Sequence, residues 1–489
     1  MENEKTTSTG QEQKTQETSV DKLLTMLDDT KKDAVAEFIS KVGKESQVFK
    51  VTGALVDSFI ADIDTVLSAQ MDEILHNEEF KGLESTWRGL LFLVQNTEFS
   101  KPVKFELLDV TKEELYEDLN EAANGEGYEK DSGFWHHVYW GAYDKVGGHS
   151  YTAIIADLQI DNSAQDINLM QHLSVLSESA QIPFIGNASH KFFGEKNFGD
   201  VMNNRFLVDQ VTDGAEYTAW RAFRDDDRSK YIGLTLPRFL GRLPYSAESE
   251  PTKNFNYNEG VYKEGSDNSL WCNASFALAS NMVKSFEKWG WSVKIVGVDS
   301  GGKVENLPTP TYEEHGQKKV KVPIEASVGQ AKDQELCDLG FIPLAHWDRT
   351  DYACFFEVPS VNRPKKIKND AEATANYAVG ARLQYTMLVT RIAHYLKYRQ
   401  LMFVGKNAGA GDIEKDMKKW LDTLVADFPN APESVIAERP LRSYQLHVEE
   451  LPEKPGFFQI SAEFRPHVAI TGMDVNLKLL AFHSAEEGQ

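Results

Sequence analysis

Two apolar runs separated by an amphipathic helix constrain the fold of this 489-residue chain more than any other feature. The run SYTAIIADLQI (150–160) reads as a buried strand, and IPFIGNAS (182–189) reads as a second one. Between them, SAQDINLMQHLSVLSESAQ keeps Ile167, Met170, Leu173 and Leu176 at helical spacing. A strand, a helix and a strand in so short a stretch predict a parallel pair with a right-handed crossover. The middle of the chain is therefore expected to be an α/β domain.

Further elements follow from the same periodicities. KPVKFELLDV (101–110) alternates at Val103, Phe105 and Leu107, which predicts a strand, and WSVKIVGVD (291–299) predicts another. Residues 369–403 predict a single long helix, and DIEKDMKKWLDTLVADF (412–428) predicts a helix after a glycine-rich connection. Two apolar helical stripes come earlier in the chain: Leu55, Val56, Phe59, Ile60, Ile63, Val66, Leu67, Met71 and Ile74, and then Phe80, Leu83, Trp87, Leu90, Leu91 and Val94.

The C-terminal end is rich in alternating patterns. SYQLHVEEL (443–451) puts Tyr444, Leu446 and Val448 on one face, and FFQISAEFRP (457–466) is alternating in the same way. MDVNLKLLAF (473–482) is a third alternating run. These runs predict an antiparallel meander with one buried face. The expected fold class is α/β (α+β mixed), with a central α/β domain and a C-terminal domain of helices and an antiparallel meander.

The N-terminal end differs from the rest in composition. Residues 1–18 have no apolar residue after Met1, which predicts a disordered tail. An apolar helical stripe then follows at Val20, Leu23, Leu24 and Leu27. We expect amphipathic helices over 19–53, an α/β region over 54–365 and a C-terminal domain over 366–489. The N-terminus lacks the apolar core of a signal peptide, so the cytoplasm is the expected compartment.

Composition argues against several classes of function. Lys and Arg total 52 and Asp and Glu total 75, a formal charge of −23. Nucleic-acid binding and attachment to anionic membranes both favour a basic footprint, so neither is expected. No apolar run reaches the ~20 residues of a membrane span, so direct membrane insertion is not expected either.

No motif predicts a catalytic, cofactor or metal site. In GKNAGAGD (405–412) Lys406 precedes Gly409 and Gly411 instead of following them, and no strand is predicted before the loop, unlike a phosphate-binding loop. Cys272, Cys337 and Cys354 lack the spacing of a zinc or redox site. The strongest enzymatic hint is Asp157 and Asp161 at the end of a predicted parallel strand, where α/β enzymes place ligands. An α/β hydrolase or phosphotransfer enzyme using these two carboxylates remains the alternative function.

Six separated stretches resemble one family in its own order: FKGLESTWRGLLFLV, AQDINLMQHLSVLSESAQIPFIGNASHKFFG, WRAFRDDDRSKYIGLTLPRFLGRLPY, LGFIPLAHWDRTDYACFFEVPSVNRPKK, ATANYAVGARLQYTMLVTRIAHYLK and ERPLRSYQLHVEELPEKPGFFQISAEFRPHV. This is the large subunit of the type VI secretion contractile sheath, the TssC/VipB family. The resemblance extends from about residue 54 to the C-terminus. It is more specific than any single motif, because six independent stretches keep the family order.

The resemblance implies a structural protein without catalytic residues. Such a subunit pairs with the small sheath subunit (TssB/VipA), and many copies of the pair polymerise around the inner Hcp tube on a baseplate. Contraction drives the tube outward, and the AAA+ unfoldase ClpV recycles the contracted sheath. In the family, a helix near the N-terminus of the large subunit is the unfoldase-recognition element.

Three segments are expected to serve assembly. The meander is the expected acceptor for strand pairing between subunits, through Phe458, Ile460, Ser461, Ala462 and Phe464. The stripe Val20, Leu23, Leu24 and Leu27 is the expected unfoldase-recognition helix. The densest basic run, Arg363, Lys365, Lys366 and Lys368, is either a solvated linker or a contact with the inner tube or a neighbouring subunit.

Overall fold

The structure is a computed structural model. It describes residues 53–143, 148–253, 255, 257–259, 262–263, 266–314, 317–320, 322–346, 350, 352–368, 370–403, 409–428, 431–451, 458–467 and 477–481. The expected tail over 1–18 and the stripe from Val20 to Leu27 lie outside these residues. The chain divides into two compact units. Of the described residues, the first holds 53–72, 252, 253, 255 and 257, and the second holds the rest.

The helices are, in chain order, α1 (Gly53–Leu75), α2 (Glu78–Gln95), α3 (Lys112–Asn124), α4 (Tyr128–Asp131), α5 (Gly133–Trp135), α6 (Gly141–Tyr143), α7 (Ala164–Ala180), α8 (Phe198–Asn203), α9 (Leu207–Asp213), α10 (Thr218–Asp225), α11 (Ala274–Trp289), α12 (Gln330–Asp338), α13 (Ala371–Gly380), α14 (Leu383–Leu401), α15 (Ala410–Leu421) and α16 (Glu433–Glu438).

The strands are, in chain order, β1 (Ile154–Ile160), β2 (Phe184–Ala188), β3 (Ile232–Leu236), β4 (Phe239–Leu240), β5 (Tyr262–Lys263), β6 (Ser266–Asp267), β7 (Trp271–Cys272), β8 (Lys303–Val304), β9 (Thr311–Glu314), β10 (Gln317–Val320), β11 (Ile342–Pro343), β12 (Ala345–His346), β13 (Ala353–Cys354), β14 (Leu441–Glu450), β15 (Phe458–Pro466) and β16 (Leu477–Ala481).

A parallel sheet in the order β1-β2-β3-β11 forms the centre of the second unit, as the central run of the sequence predicts. Helix α7 connects β1 to β2. It is capped at its start by Ser163, whose Oγ accepts a hydrogen bond from the amide of Asp166 at 3.2 Å. It ends where Gln181 adopts a φ of 56°. The four apolar residues that the sequence assigns to its inner face are all buried.

Both faces of this sheet are covered. Phe184 of β2 belongs to an apolar cluster that includes α7, whereas its neighbour Ile185 belongs to a second cluster that includes α11. Successive residues of a strand point to opposite faces. The sheet is therefore a middle layer between helices, which is typical of parallel sheets.

The C-terminal domain has its own apolar core. The meander β14-β15-β16 is antiparallel and follows the order predicted from the sequence. Helices α14 and α15 pack against its apolar face, with Ile392, Met417 and Phe464 among the fully buried side chains. The mixed fold class and the multi-domain organisation expected from the sequence are confirmed.

Two predicted strands are absent from the described structure. Residues 103–110 form no strand, although they run without a turn or bend. Residues 291–299 form a loop, because Gly297 turns at a φ of 74° and its amide donates to the carbonyl of Phe355 at 2.8 Å. Ile295, one of its apolar residues, is nevertheless fully buried.

Two helix predictions are also wrong in their extent. The single helix expected over 369–403 is two helices, because Arg382 is extended and bridges Pro359. The helix expected over 412–428 begins at Ala410 and ends at Leu421. Beyond it Val425 leaves the helical path to pair with Leu441. Both breaks arise from pairing with distant backbone, which helical periodicity does not encode.

Candidate functional site

The meander places the five residues expected to pair with other subunits in its central strand. Ile460, Ala462 and Phe464 are buried, and Ser461 lies on the opposite face. Ser461 stands opposite His447 of β14 on one side and Leu480 of β16 on the other. Both edges of β15 are therefore already paired within the chain. The edges open to a further strand belong to β14 and β16.

The outer edge of β14 is partly occupied by its own domain. The amide of Val448 donates to the Glu414 carboxylate at 3.0 Å, and the hydroxyl of Tyr444 donates to the carbonyl of Lys418 at 3.0 Å. At the start of the strand, the amide of Ala426 donates to the carbonyl of Leu441 at 2.9 Å. Within the described part of the chain, no strand pairs with the outer edge of β16.

Helix α2 presents an apolar face to solvent. Its inner face packs on α11 at Gly89, where a Cβ atom would lie 2.4 Å from the ring of Phe276. The opposite face is exposed and carries large apolar side chains without a charged residue among them: Phe80, Leu83, Trp87, Leu91 and Val94. We call these five residues the α2 face. Trp87 is 61% exposed. An exposed apolar stripe of this length marks an interaction surface.

Helix α1 also exposes apolar side chains. Ile60, Ile63, Val66, Leu67 and Ile74 are each more than a third exposed, and they belong to the stripe that the sequence shows over 55–74. The helical spacing predicted for α1 and α2 is therefore confirmed. The apolar residues that it places on one face are exposed to solvent in the chain on its own.

The basic run is divided between paired and unpaired cations. Arg363 binds the carboxylate of Asp225 with two nitrogens, at 2.8 and 2.5 Å. The Lys365 Nζ lies 2.6 Å from the Asp227 carboxylate, and this hydrogen bond raises the pKa of Lys365. Lys366 and Lys368 are exposed and have no ion pair with another described residue. Within the basic run, these two lysines are the ones whose charge is not compensated by another described residue.

The two carboxylates of the alternative function have different hydrogen-bond partners. Asp157 accepts hydrogen bonds from the hydroxyl of Thr86 and from the amide of Asn273, the latter at 2.6 Å. Asp161 accepts from the amide of Ser163 at 2.7 Å. Burial works to raise the pKa of Asp161, but the bonds from Ser163 and the charge of Lys112 outweigh it, and the pKa is lowered.

The neighbouring carboxylate completes a helix-capping network. Asp166 accepts from the amide of Asp161 at 2.7 Å and forms an ion pair with Lys112 at 3.0 Å. Burial raises its pKa. A shallow cavity of about 360 Å³ adjoins Asp161 at this end of the sheet. The network satisfies the first turn of α7. The residues that line this cavity include Asp161 but not Asp157.

The three cysteines and Asp412 are buried or cap a helix. Cys272, Cys337 and Cys354 are free and buried, and burial raises the pKa of Cys272 to about 12. At the start of α15, the carboxylate of Asp412 accepts from the amide of Gly409 at 3.2 Å, so it caps the helix from within. Among the described residues there is no group of three potential metal ligands. None of the described helices is both long and apolar enough for a membrane span.

Models of tail sheath proteins match most of the chain. The model for the VipB family, EvpB/VC_A0108, tail sheath N-terminal domain, matches residues 57–362. The model for the EvpB/VC_A0108 tail sheath gpW/gp25-like domain matches residues 372–482. The type VI secretion system sheath protein TssC1 of Pseudomonas aeruginosa PAO1 is 34% identical over 432 residues, which cover 87% of this chain and 85% of that protein.

Two solved structures are weakly similar. The anti-feeding prophage baseplate contains a chain that is 11% identical, with a TM-score of 0.38 over 79% of this chain and 83% of that one. A chain of the anti-feeding prophage sheath in its contracted state is 11% identical, with a TM-score of 0.31 over 68% and 70% of the two chains.

A chain in which tail sheath models match residues 57–362 and 372–482, and which exposes apolar helices, is a structural sheath protein. It belongs to the TssC/VipB family of type VI secretion system sheath proteins.

The sequence pattern groups the apolar residues of α2 on one face but does not tell which side of α2 is exposed. The buried side is the one with Gly89 and Leu93. The sequence feature that could have indicated the exposed side of α2 is Gly89. A glycine inside a helix often marks a close approach to another backbone or ring, and this one lies opposite the larger apolar side chains.

Proposed function

We propose that this chain is the large sheath subunit that pairs with the small subunit (TssB/VipA) and polymerises with further copies around an inner Hcp tube in the cytoplasm. The sheath grows from a baseplate, and its contraction propels the tube. The observation that carries the proposal is the α2 face, because its five apolar residues need a protein partner to leave water. Family membership supports the same role.

The meander is the proposed acceptor of strands from neighbouring subunits. Strand addition supplies a row of backbone hydrogen bonds that holds subunits together while they rotate about connections outside the sheet. The five residues of β15 would act by holding the two flanking strands in register, since β15 is paired on both sides. The incoming strand would add to β14 or β16.

The proposed domain organisation divides the chain at residues 365–366, with the α/β region over 54–365 and the C-terminal domain over 366–489. The N-terminal segment 1–53 is proposed to be a tail followed by amphipathic helices. Within it, Val20, Leu23, Leu24 and Leu27 are the proposed recognition site for ClpV. Lys366 and Lys368 are the members of the basic run best placed to contact the inner tube or a neighbour, because Arg363 and Lys365 already have partners.

The test is assembly with a partner. The chain co-expressed with its small subunit should form tubes visible by negative-stain microscopy, and the chain alone should aggregate. Leu83→Lys with Trp87→Lys should abolish tubes, because the two charges would be buried in the interface. Gln95→Lys adds a charge at an exposed position at the end of the same helix and should leave tubes intact. A wild-type pair that stays monodisperse without tubes would contradict the proposal.

A further inference from the structure

Residues 104–110 have the course of a strand without a strand partner. They run from Lys104 to Val110 without a turn or bend, as the alternating sequence predicts. Within the described part of the chain, their backbone amides and carbonyls make no hydrogen bond. Phe105, Leu107 and Leu108 are 36%, 69% and 49% exposed. We call residues 104–110 the unpaired segment.

The unpaired segment is fixed by contacts at both ends. The ring of Phe105 packs edge-on against Phe99 with the centroids 5.9 Å apart. The carboxylate of Glu106 accepts a hydrogen bond from the hydroxyl of Tyr151. Beyond the segment, Thr111 and Glu114 form a capping box at the start of α3, with hydrogen bonds of 2.9 and 3.2 Å. The straight course is therefore held by the fold and needs no partner to form.

Side chains link the unpaired segment and the start of α3 to both ends of an edge strand. Strand β1 pairs with β2 on one side, and no described strand pairs with its other side. Tyr151, just before β1, contacts Glu106, while the Nζ of Lys112 lies 3.3 Å from the carbonyl of Gln159 near the end of β1. The segment and the free edge of β1 are both backbone without a strand partner in the described part of the chain.

We propose that the unpaired segment accepts a β-strand from another polypeptide of the sheath, with alternating apolar residues and basic side chains between them. Extended backbone is satisfied by another strand, since a helix has no free groups along its length to pair with it. Glu106 and Asp109 on the segment and Glu113 in the first turn of α3 are exposed, against one exposed cation on the segment, Lys104, so its charge is net negative. Opposite charges across a strand pair stabilise it, which is the reason for a basic partner.

A second copy of the same segment fits poorly. An antiparallel pair centred on Leu107 would set Phe105 opposite Asp109 and Glu106 opposite Leu108. A parallel pair in register would stack Glu106 on Glu106, and like charges directly opposite destabilise a strand pair. The incoming strand therefore has a different sequence. This inference rests on the proposed sheath assembly for the source of the strand.

Hydrogen–deuterium exchange of purified assembled tubes tests the inference directly. Amides 104–110 should exchange rapidly in the chain kept soluble by Leu83→Lys and Trp87→Lys. In wild-type tubes, about half of them should slow by at least a hundredfold, because one edge of the segment becomes paired. Tubes in which these amides still exchange rapidly would overturn the inference and leave the sheath proposal standing. If the wild-type pair forms no tubes, both fail.

Proline substitution gives a second, independent test. Proline removes one amide donor, and in this segment that donor has no partner within the chain, so folding should be preserved. Amides of adjacent residues point to opposite edges, so Leu107→Pro and Leu108→Pro probe the two edges separately. One variant should lower tube yield at least tenfold and the other by less than twofold, with thermal midpoints unchanged. Equal, wild-type yields from both would overturn the inference.

Discussion

At the scale of single residues, the buried His394 of α14 contributes to the dependence of stability on pH. Its Nε2 lies 3.2 Å from the carbonyl of Ala180, and its ring faces Tyr143. Burial lowers the pKa of His394 to about 4, helped by the nearby charges of Arg391 and Lys397. The unfolded chain, with a pKa near 6.5, binds a proton at higher pH than the folded chain does.

The first prediction follows from the sign of this difference. Between pH 6.5 and about 4 the unfolded state holds more protons, so stability falls as the pH falls. A shift of this size corresponds to a loss of roughly 3 kcal/mol across that window. His394→Gln keeps a donor for the Ala180 carbonyl but does not titrate. Urea unfolding of the purified complex of the large and small subunits should be measured at pH 7 and pH 5. The free energy of unfolding should fall less between these two pH values in the variant than in the wild type. Equal losses would contradict the assignment.

The second prediction separates the two halves of the basic run. Lys366→Glu with Lys368→Glu should lower tube yield in a salt-sensitive way, since these lysines lack a partner among the described residues. Arg363→Gln with Lys365→Gln removes two exposed ion pairs within the chain and should cost at most about 1 kcal/mol each. Tube yield at several salt concentrations is the measurement. Normal yield and normal salt response in the first variant would identify the run as a solvated linker.

At the scale of elements, the third prediction concerns β15. Ser461 is paired on both sides, so Ser461→Pro removes one ladder donor from a central strand. We expect a loss of about 1–3 kcal/mol in the free energy of unfolding from the unpaired acceptor. We also expect a loss of tubes, because the flanking strands lose their register. Ser461→Thr keeps the donor and should behave as wild type. A fully assembling proline variant would show that this strand is not critical.

Local sequence patterns were enough to predict those helices and strands whose apolar residues recur with a regular period and are buried in the fold. Helix α7 and strands β1 and β2 show this, because the burial of Ile167 and its neighbours follows from spacing alone. The breaks at Arg382 and after Leu421 could not be predicted, because each depends on a distant segment that pairs with the backbone. The unpaired segment is a different case: the pattern predicted a strand, and the segment runs without a turn or bend but pairs with no described strand.

At the scale of the whole molecule, the assembly surfaces lie on different elements from those that the alternative enzyme would need. The α2 face and the unpaired segment were not predicted as sites, since sequence periodicity does not tell a core from an interface. The two carboxylates, which the sequence did single out, take part in local hydrogen-bond networks. An interface of this kind can be recognised only from the fold, which shows which apolar residues are exposed to solvent.

The fourth prediction concerns disassembly. Leu23→Ser with Leu24→Ser should leave tube assembly and contraction largely intact, while ATP-dependent disassembly of contracted tubes by purified ClpV slows. The reason is that an unfoldase can confine its action to the state that exposes its recognition site. Sheath turnover is the measurement. Turnover at the wild-type rate would place the recognition site elsewhere, and a failure to assemble would show that this segment is structural.

The connection between the two matched domains has a mechanical consequence. On one side, Arg363 and Lys365 fasten it to the residues that end and follow α10. On the other, the amide of Ile367 donates to the hydroxyl of Thr374 in α13 at 3.0 Å. Lys366 stands between the two fastenings. The two domains are also joined by a buried core, because Leu383 and Met387 of α14 belong to the apolar cluster that includes Ile185 of the central sheet. A rotation of one domain against the other would therefore have to disrupt this packed core as well as the connection. Higher salt would weaken the exposed ion pairs of the connection but would leave the apolar contact in place.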